Sequence, residues 1–345
     1  MPKEITHIHI AEKILNGLPE SVQLILKQNQ SSYYFGSIAP DIFYYDVANI
    51  KNRTIESRIE WGEIIHGRYG NDTMLHLIYI LDQIRANKSD NSRNSTNHRN
   101  SILLSFVCGF LTHIAADTIF HPYIYSVTGN YYDQNQTEHK ASIARHRLFE
   151  TCLDQHILKQ REISLADFKL NQWFNLNELE KPTILNMYAD SLQIANDLHL
   201  NSKLMRRIVY RCYRKTCLIT QVFQNRPASK VLIKLNRRLN GRLSGAANAV
   251  YGDQVVLIPF ESLPNTPHPV TGEELKGGNV LNMVNQSIKR GVDFANASFL
   301  YVKGQTSLSS LRQKLRPYSL NNGLERVATD DMTYSKIQNW PINPI

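Results

Sequence analysis

The sequence has little cysteine and few of the residues that break regular structure. Its four cysteines have neither the paired spacing of a metal site nor the density of a disulfide framework. With 16 Gly and 13 Pro among 345 residues and 42% hydrophobic residues, the composition is neither fibrous nor disordered. We therefore expect a packed, soluble protein whose thiols are reduced and mostly buried, namely Cys108, Cys152, Cys212 and Cys217.

Several catalytic signatures are also missing. The sequence has no G-x-S-x-G elbow, no Walker A lysine motif and no adjacent His-Asp pair, so serine hydrolases, P-loop NTPases and HD phosphohydrolases lack support. A di-iron bundle would need two Glu-x-x-His elements, and only Glu63 to His66 fits. No apolar run and no small-residue cleavage site precede the first predicted helix, so we expect no secretory signal and a cytoplasmic protein.

What the sequence does contain is helical periodicity. Apolar residues recur at spacings of three and four while alternating patterns are scarce, which predicts a mainly α fold, a multi-helix bundle. We predict a helical domain over 1–250 with a polar loop at 86–101, an irregular segment and a last helix over 251–306 that packs on it, and a loosely packed tail over 307–345. The predicted helices cover 8–17, 19–28, 56–88, 101–121, 138–160, 182–199, 203–224, 227–240 and 277–302.

One segment, Ile102 to Phe120, is apolar enough and about long enough to span a bilayer. It contains His113 and Asp117, and an Asp is costly in hydrocarbon. We therefore predict a buried central helix and no transmembrane segment.

The chain is basic, with 39 Lys and Arg, 30 Asp and Glu and a formal net charge of +9. Many of the basic residues fall between Lys203 and Arg242. The first interpretation is a solvated helix face, and the second is a surface for peripheral contact with anionic membrane or, less favoured, with nucleic acid.

The residue spacing that indicates chemistry lies on the central helix. His113, Asp117 and His121 recur every four residues and so rise along one side of it. The next predicted helix carries His146 and Glu150, again four apart. Two helices that each present ligands at this spacing can close a metal site.

Three further residues could complete such a site, His7, Asp41 and His66, although each is a weak signal alone. A single His on an apolar helix is more often a hydrogen-bonded core residue than a ligand. His9 lies two residues from His7 and would point elsewhere on a helix, so we interpret it as a structural or surface residue.

Taken in order, these segments resemble the zinc-dependent phospholipase C family, whose fold is related to that of the S1 and P1 nucleases. The resemblance is to the intracellular bacterial branch and covers the first half of the chain well. The segments that carry it are THIHIAEKIL, FGSIAPD, the His66-Gly67 pair, GFLTHIAADTIFHPY and ARHRLFE.

The resemblance implies a phospholipase C-like phosphodiester hydrolase that uses zinc-activated water. It implies that His66, His113 and Asp117 hold one zinc ion. It implies a third ion between His7 and Asp117, and Asp41 beside the first as a ligand or as the base. Secreted members of the family use an amino-terminal Trp as a ligand to the third zinc ion, whereas this sequence begins Met1-Pro2. Two ions are therefore favoured over three. The second ion would be held by His121, His146 and Glu150.

Two alternatives stay open. The same metals would serve an S1/P1-like nuclease or nucleotidase, whereas a zinc-stabilised helical binding protein would have no turnover. Aromatic residues around Asp41 could stack a base or cover a lipid headgroup, but we favour helix packing for them. They are Tyr33, Tyr34, Phe35, Tyr44 and Tyr45.

Overall fold

The fold is mainly α, as predicted. The computed structural model describes residues 3–46, 58–87, 94–196, 202–251, 255–256, 258–338, 340 and 342–343. The helices are α1 (Glu4–Gly17), α2 (Glu20–Gln28), α3 (Gln30–Gly36), α4 (Arg58–Ile65), α5 (Leu75–Asn87), α6 (Asn94–Thr128), α7 (Gln136–Gln160), α8 (Leu165–Phe168), α9 (Asn171–Phe174), α10 (Glu180–Ala195), α11 (Ser202–Gln224), α12 (Arg226–Arg238), α13 (Ser244–Ala247), α14 (Val280–Val302) and α15 (Leu308–Lys314).

Short elements connect the helices. A 3-10 helix, Ala39–Tyr45, follows α3, and a second one spans Thr329–Asp331. Two small antiparallel sheets pair β1 with β4 and β2 with β3. The strands are β1 (Val255–Val256), β2 (Thr266–Pro267), β3 (Glu274–Leu275) and β4 (Ile342–Asn343).

The centre of the bundle is α6. Its segment Thr96–Thr128 is long and apolar enough to cross a membrane, with a mean hydropathy of 1.8, but 94% of that window is buried inside the protein. This burial favours a core helix over a transmembrane span, in agreement with the sequence prediction. The helix therefore carries His113, Asp117 and His121 in the interior.

The helices α3 and α6 cross in backbone-to-backbone contact. A Cβ atom on Gly109 of α6 would lie 1.9 Å from the carbonyl oxygen of Tyr33, and one on Gly36 of α3 would lie 2.3 Å from that of Phe106. Only glycine permits such an approach. The crossing fixes the chain that follows α3, which carries Asp41, against the middle of α6.

The single helix predicted over 56–88 is wrong. Residues 56 and 57 lie outside the described residues, and the chain forms α4 and α5 with a turn between them. Gly67 and Gly70 adopt φ values of 72° and 70°, which belong to the left-handed region that favours glycine. The turn ends α4 just before His66.

The predicted loop at 86–101 is shorter than expected. α5 continues to Asn87 and α6 begins at Asn94, while residues 88–93 lie outside the described residues. The polar residues 94–100 are thus helical because they extend the long buried helix, and among them Asn97, His98 and Arg99 are exposed.

The prediction of a loosely packed tail is also wrong. Leu311, Leu315 and Leu320 are buried in the core. The backbone N–H of Leu320 donates to the His66 carbonyl at 2.9 Å, so the tail is attached to the turn after α4. Beyond α15 the backbone is irregular and is held by hydrogen bonds, which explains the sparse periodicity there.

Candidate metal centre

Five elements bring the predicted site residues together. α1 supplies His7, the 3-10 helix supplies Asp41, and the turn after α4 supplies His66. The remaining residues come from two helices. They are His113, Asp117 and His121 on α6, and His146 and Glu150 on α7. All eight side chains are buried, although they are separated by up to 143 positions in the sequence.

Backbone carbonyl groups orient three of the histidines. The Nδ1 atom of His66 donates to the Gly62 carbonyl at 2.7 Å, and that of His113 donates to the Ser37 carbonyl at 2.8 Å. The Nδ1 atom of His121 donates to the Leu320 carbonyl at 2.6 Å. Such bonds fix the tautomer, so each ring turns an unprotonated Nε2 away from its carbonyl partner.

Asp117 lies at the centre of the first group. Its Oδ1 atom is 3.3 Å from His7 Nε2. Its Oδ2 atom is 3.0 Å from His113 Nε2 and 3.6 Å from His66 Nε2. The two carboxylate oxygens therefore face different histidines, an arrangement that suits a bridging carboxylate.

Asp41 borders the same group from the 3-10 helix. Its Oδ1 atom lies 3.3 Å from His66 Nε2 and 3.7 Å from His113 Nε2. Unlike Asp117, whose side chain is fully buried, the Asp41 side chain is 12% exposed. Asp41 is thus placed where the buried group meets solvent.

The second group joins α6 to α7. The Nε2 atom of His146 is 2.9 Å from Oε1 of Glu150, one turn further along the helix. The His121 and His146 rings are neighbours, with centroids 5.6 Å apart and ring planes tilted by 52°. His121, His146 and Glu150 each offer a ligand atom within 4.8 Å of the other two.

The protonation states suit metal binding. Burial lowers the pKa of His7 to about 4 and lowers the pKa values of His121 and His146 well below their usual range. Burial also disfavours the ionised form of Asp117, but the neighbouring His113 and His121 outweigh it and hold the pKa of Asp117 well below its usual value. Burial opposes the charged form of His113, but the neighbouring Asp117 and Asp41 carboxylates outweigh it and raise the pKa of His113. Neutral imidazoles, such as those of His7, His121 and His146, and an ionised carboxylate are the forms that bind metal ions.

Unpartnered polar atoms test whether these residues fit a metal. Within the described part of the chain, no hydrogen-bond partner satisfies Nε2 of His66, His113 or His121, Oδ1 of Asp41, or either carboxylate oxygen of Asp117. Burying polar atoms in this way costs free energy unless something binds them. These atoms belong to groups of His and carboxylate side chains whose ligand atoms lie within 4.8 Å of one another. Histidine nitrogen and carboxylate oxygen are atoms that bind zinc in proteins.

A cavity of about 400 Å³ opens on both groups, with Asp41, His66, His146 and Glu150 in its lining. Of the aromatic residues noted around Asp41, Tyr33, Tyr34 and Phe35 pack in the core, as favoured, whereas Tyr44 and Tyr45 line the cavity. The other cavity tyrosines were not predicted from the sequence, because they lie in the last turn of α6 and just after it without a regular spacing. They are Tyr125, Tyr131 and Tyr132.

The contact that anchors α1 was not predicted from the sequence. The Asp154 carboxylate on α7 accepts hydrogen bonds from the backbone N–H groups of Ile5 and Thr6, at 3.2 and 2.8 Å. It thereby satisfies the first turn of the helix that carries His7. His9 on the same helix faces away, with Nδ1 3.3 Å from Arg161, in line with its interpretation as a structural residue.

Comparison with protein families gives this geometry a context. The family model described as zinc-dependent phospholipase C matches residues 6–199, more than half of the chain and all eight site residues. The chain belongs to the zinc-dependent phospholipase C family. The resemblance to this family is thus confirmed, and so is the mainly α fold that it implied. Searches of curated proteins and of solved structures gave no match.

Membership in the zinc-dependent phospholipase C family indicates a hydrolase that depends on metal and acts on phospholipid. Three sets of His and carboxylate side chains indicate where this member could bind metal. They are His7, Asp41 and His113; His66, His113 and Asp117; and His121, His146 and Glu150. Family and geometry agree on the class of chemistry, zinc-dependent hydrolysis.

Proposed function

We propose that this protein is a zinc-dependent phosphoric-diester hydrolase of the phospholipase C type, which cleaves a phospholipid between glycerol and phosphate. The observation that carries the proposal is the convergence of eight His, Asp and Glu side chains beside an open cavity. Structural zinc sites are usually closed by four protein ligands, whereas catalytic ones keep access for water. An open cavity therefore favours catalysis over a binding protein that zinc only stabilises.

Two ions account for the ligand groups. His66, His113 and Asp117 would hold one zinc ion. His7 is 3.3 Å from the second oxygen of Asp117, which could bridge to a third ion there. The group of His7, Asp41 and His113 shares His113 with the first group, so we propose two ions. The second ion would be held by His121, His146 and Glu150.

The chemistry divides between the ions and the chain. Bound zinc lowers the pKa of water and neutralises charge that develops on phosphoryl oxygens. Asp41 lies between the buried ligands and the cavity, so we assign it to orient the attacking water and to accept its proton. Asp117 is fully buried, and it is assigned to hold metal alone.

The cavity suits the polar end of a phospholipid. Its volume of about 400 Å³ is in the range of small-molecule sites and is too small for a whole diacyl lipid. Tyrosine side chains form part of the wall, and Leu218 and Val222 of α11 form an aliphatic part. The tyrosines would contact the headgroup, and the aliphatic side chains would contact the glycerol end.

The test combines metal analysis with hydrolysis of a chromogenic phosphodiester. Asp117→Asn should lose zinc, and Asp41→Asn should fold normally yet slow hydrolysis by about 100-fold or more, as expected for loss of a general base. His9→Gln is the control, since His9 is a buried histidine on α1 outside the site. Unchanged hydrolysis in Asp41→Asn and Asp117→Asn would remove the catalytic proposal.

A parallel assay on phosphatidylcholine micelles and single-stranded DNA separates the substrate classes. We expect release of phosphorylated headgroup and no DNA cleavage. Cleavage of DNA alone would make the protein an S1/P1-like nuclease.

A further inference from the structure

The helices α11 and α12 carry charge of one sign. Between Ser202 and Arg242 the sequence has twelve Lys and Arg and no Asp or Glu. Some of these cations pair with acidic residues elsewhere, such as Arg206 with Asp190 at 2.7 Å. Others form no ion pair with any residue that the structure describes, namely Arg207, Arg214, Lys234, Arg237 and Arg238. The two helices therefore present a positive surface to solvent.

The same helices expose aliphatic side chains. On α12, Val231 is 67% exposed, Leu235 44% and Leu239, at the helix end, 37%. On α11, Leu218 and Val222 are 61% and 45% exposed. Each set recurs every four residues and so forms one stripe. Five exposed aliphatic residues in two stripes are more than scattered surface residues, which indicates a surface that meets an apolar partner.

On α12 the apolar and basic stripes lie side by side. Lys234 and Arg238 each precede an apolar stripe residue by one position, which places them about 100° around the helix from it. Ser229, on the remaining side, is buried and bonds through its hydroxyl to the Phe223 carbonyl at 3.2 Å. The helix thus rests on α11 by one side and leaves both stripes in solvent, a pattern typical of helices that lie in a membrane interface.

This surface continues to the opening of the metal cavity. Leu218 and Val222 are exposed and also belong to the cavity lining. Leu218 further borders a groove along α11 that is lined by basic residues, among them Arg207, Arg211 and Arg214. A lipid held at these helices would have its headgroup next to the cavity.

We infer that the exposed basic and aliphatic residues of α11 and α12, the α11–α12 surface, dock the protein onto a bilayer that contains anionic lipid. Cations are drawn to anionic headgroups, and the aliphatic side chains enter the boundary with the acyl chains. The orientation, with the cavity opening towards the bilayer, rests on the proposed function. α12, which carries both exposed stripes, has no aromatic residue on which bases could stack, and the groove along α11 has Tyr210 alone as an aromatic among the described residues of its lining, which favours lipid over single-stranded nucleic acid.

The experiment is sedimentation of the full chain with vesicles of phosphatidylcholine alone or mixed with phosphatidylglycerol. We expect binding to the mixed vesicles that weakens with added salt, because surface charges are screened. Lys234→Glu with Arg238→Glu should weaken this binding by about tenfold or more. The charge control is Lys27→Glu with Lys303→Glu, two exposed lysines outside the surface.

The apolar stripe is tested separately with Val231→Ser and Leu235→Ser. This pair should also reduce binding by about tenfold, since it removes buried aliphatic carbons from the interface. The control is Leu24→Ser, which changes a residue 59% exposed on α2. Circular dichroism and hydrolysis of a dispersed short-chain phosphatidylcholine should be the same in all these variants.

Several outcomes overturn the inference. The protein could fail to bind the mixed vesicles, or the α11–α12 variants could bind them as well as the wild type does. The protein could also bind a single-stranded oligonucleotide instead of vesicles, or form a dimer that Val231→Ser with Leu235→Ser dissociates. Vesicle binding without hydrolysis of any lipid would refute the proposed function and leave the docking surface standing. Hydrolysis of dispersed lipid without vesicle binding would refute the docking surface alone.

Discussion

Replacing Gly109 by Ala tests how the crossing of α3 and α6 builds the metal centre. The new Cβ would lie 1.9 Å from the Tyr33 carbonyl oxygen. Ordinary carbon to oxygen contacts are about 3.3 Å, so the helices must separate by about 1.4 Å. The backbone of α6 fixes the new Cβ, and the oxygen belongs to the backbone of α3, so no rotamer change can relieve the contact. We expect a cost of about 3 kcal/mol in the free energy of unfolding, the upper end for overpacking.

The separation should also disturb metal binding. The Ser37 carbonyl, directly after α3, holds Nδ1 of His113 at 2.8 Å. A shift of about 1 Å breaks this bond, and loss of a partner that orients a ligand typically lowers metal affinity by about 10 to 100-fold. Gly109→Ala should therefore bind zinc at least about tenfold more weakly.

Urea denaturation and zinc titration measure the two effects. The control is Gly304→Ala, because Gly304 has a φ of 77° but nothing within 4 Å of an added Cβ. It should cost about 1 kcal/mol for the left-handed backbone and leave zinc affinity unchanged. If Gly109→Ala behaves like this control, the close crossing does not position the site.

Three further predictions concern stability. Asp154→Ala leaves the amides of Ile5 and Thr6 buried without their acceptor and should lower the free energy of unfolding by about 3 kcal/mol; unchanged urea denaturation would contradict this. Removal of zinc by EDTA should lower the midpoint of thermal unfolding, and added zinc should restore it. The loss in the free energy of unfolding should be about 4 kcal/mol if free zinc was 1,000 times its Kd. A constant midpoint in calorimetry would count against metal binding. Burial lowers the pKa of His76 to about 3, so as the pH falls the unfolded chain binds a proton at this residue before the folded chain does. His76 should therefore lower the free energy of unfolding by about 2 kcal/mol between pH 7 and pH 5. His76→Leu should remove that part of the pH dependence, and an unchanged dependence of the free energy of unfolding on pH would refute the prediction.

Helical periodicity predicted most of the fold. The predictions 203–224 and 138–160 differ from α11 and α7 by one or two residues at the start. α11 is amphipathic and shows a clear helical period, and α7 is a long segment without Gly or Pro. Periodicity failed at 56–88, where two glycines end α4, and it missed α3 and the 3-10 helix after it. Short elements contain too few turns to show a period.

The candidate site was predicted in two different ways. The four-residue spacing on α6 and α7 indicated the ligand pairs directly, whereas His7, Asp41 and His66 depended on the family resemblance. No local pattern could have predicted that Leu320, 199 positions from His121, holds its ring. The ligand roles and the cytoplasmic location stay predictions.

The central claim is that α6 and α7 hold adjacent zinc ions among these residues. The most direct test is an anomalous difference map at the zinc edge from crystals of the zinc-loaded protein. The account predicts one peak among His66, His113 and Asp117 and a second on α7 at His146 and Glu150. Absence of both peaks, or zinc bound only elsewhere, would contradict it.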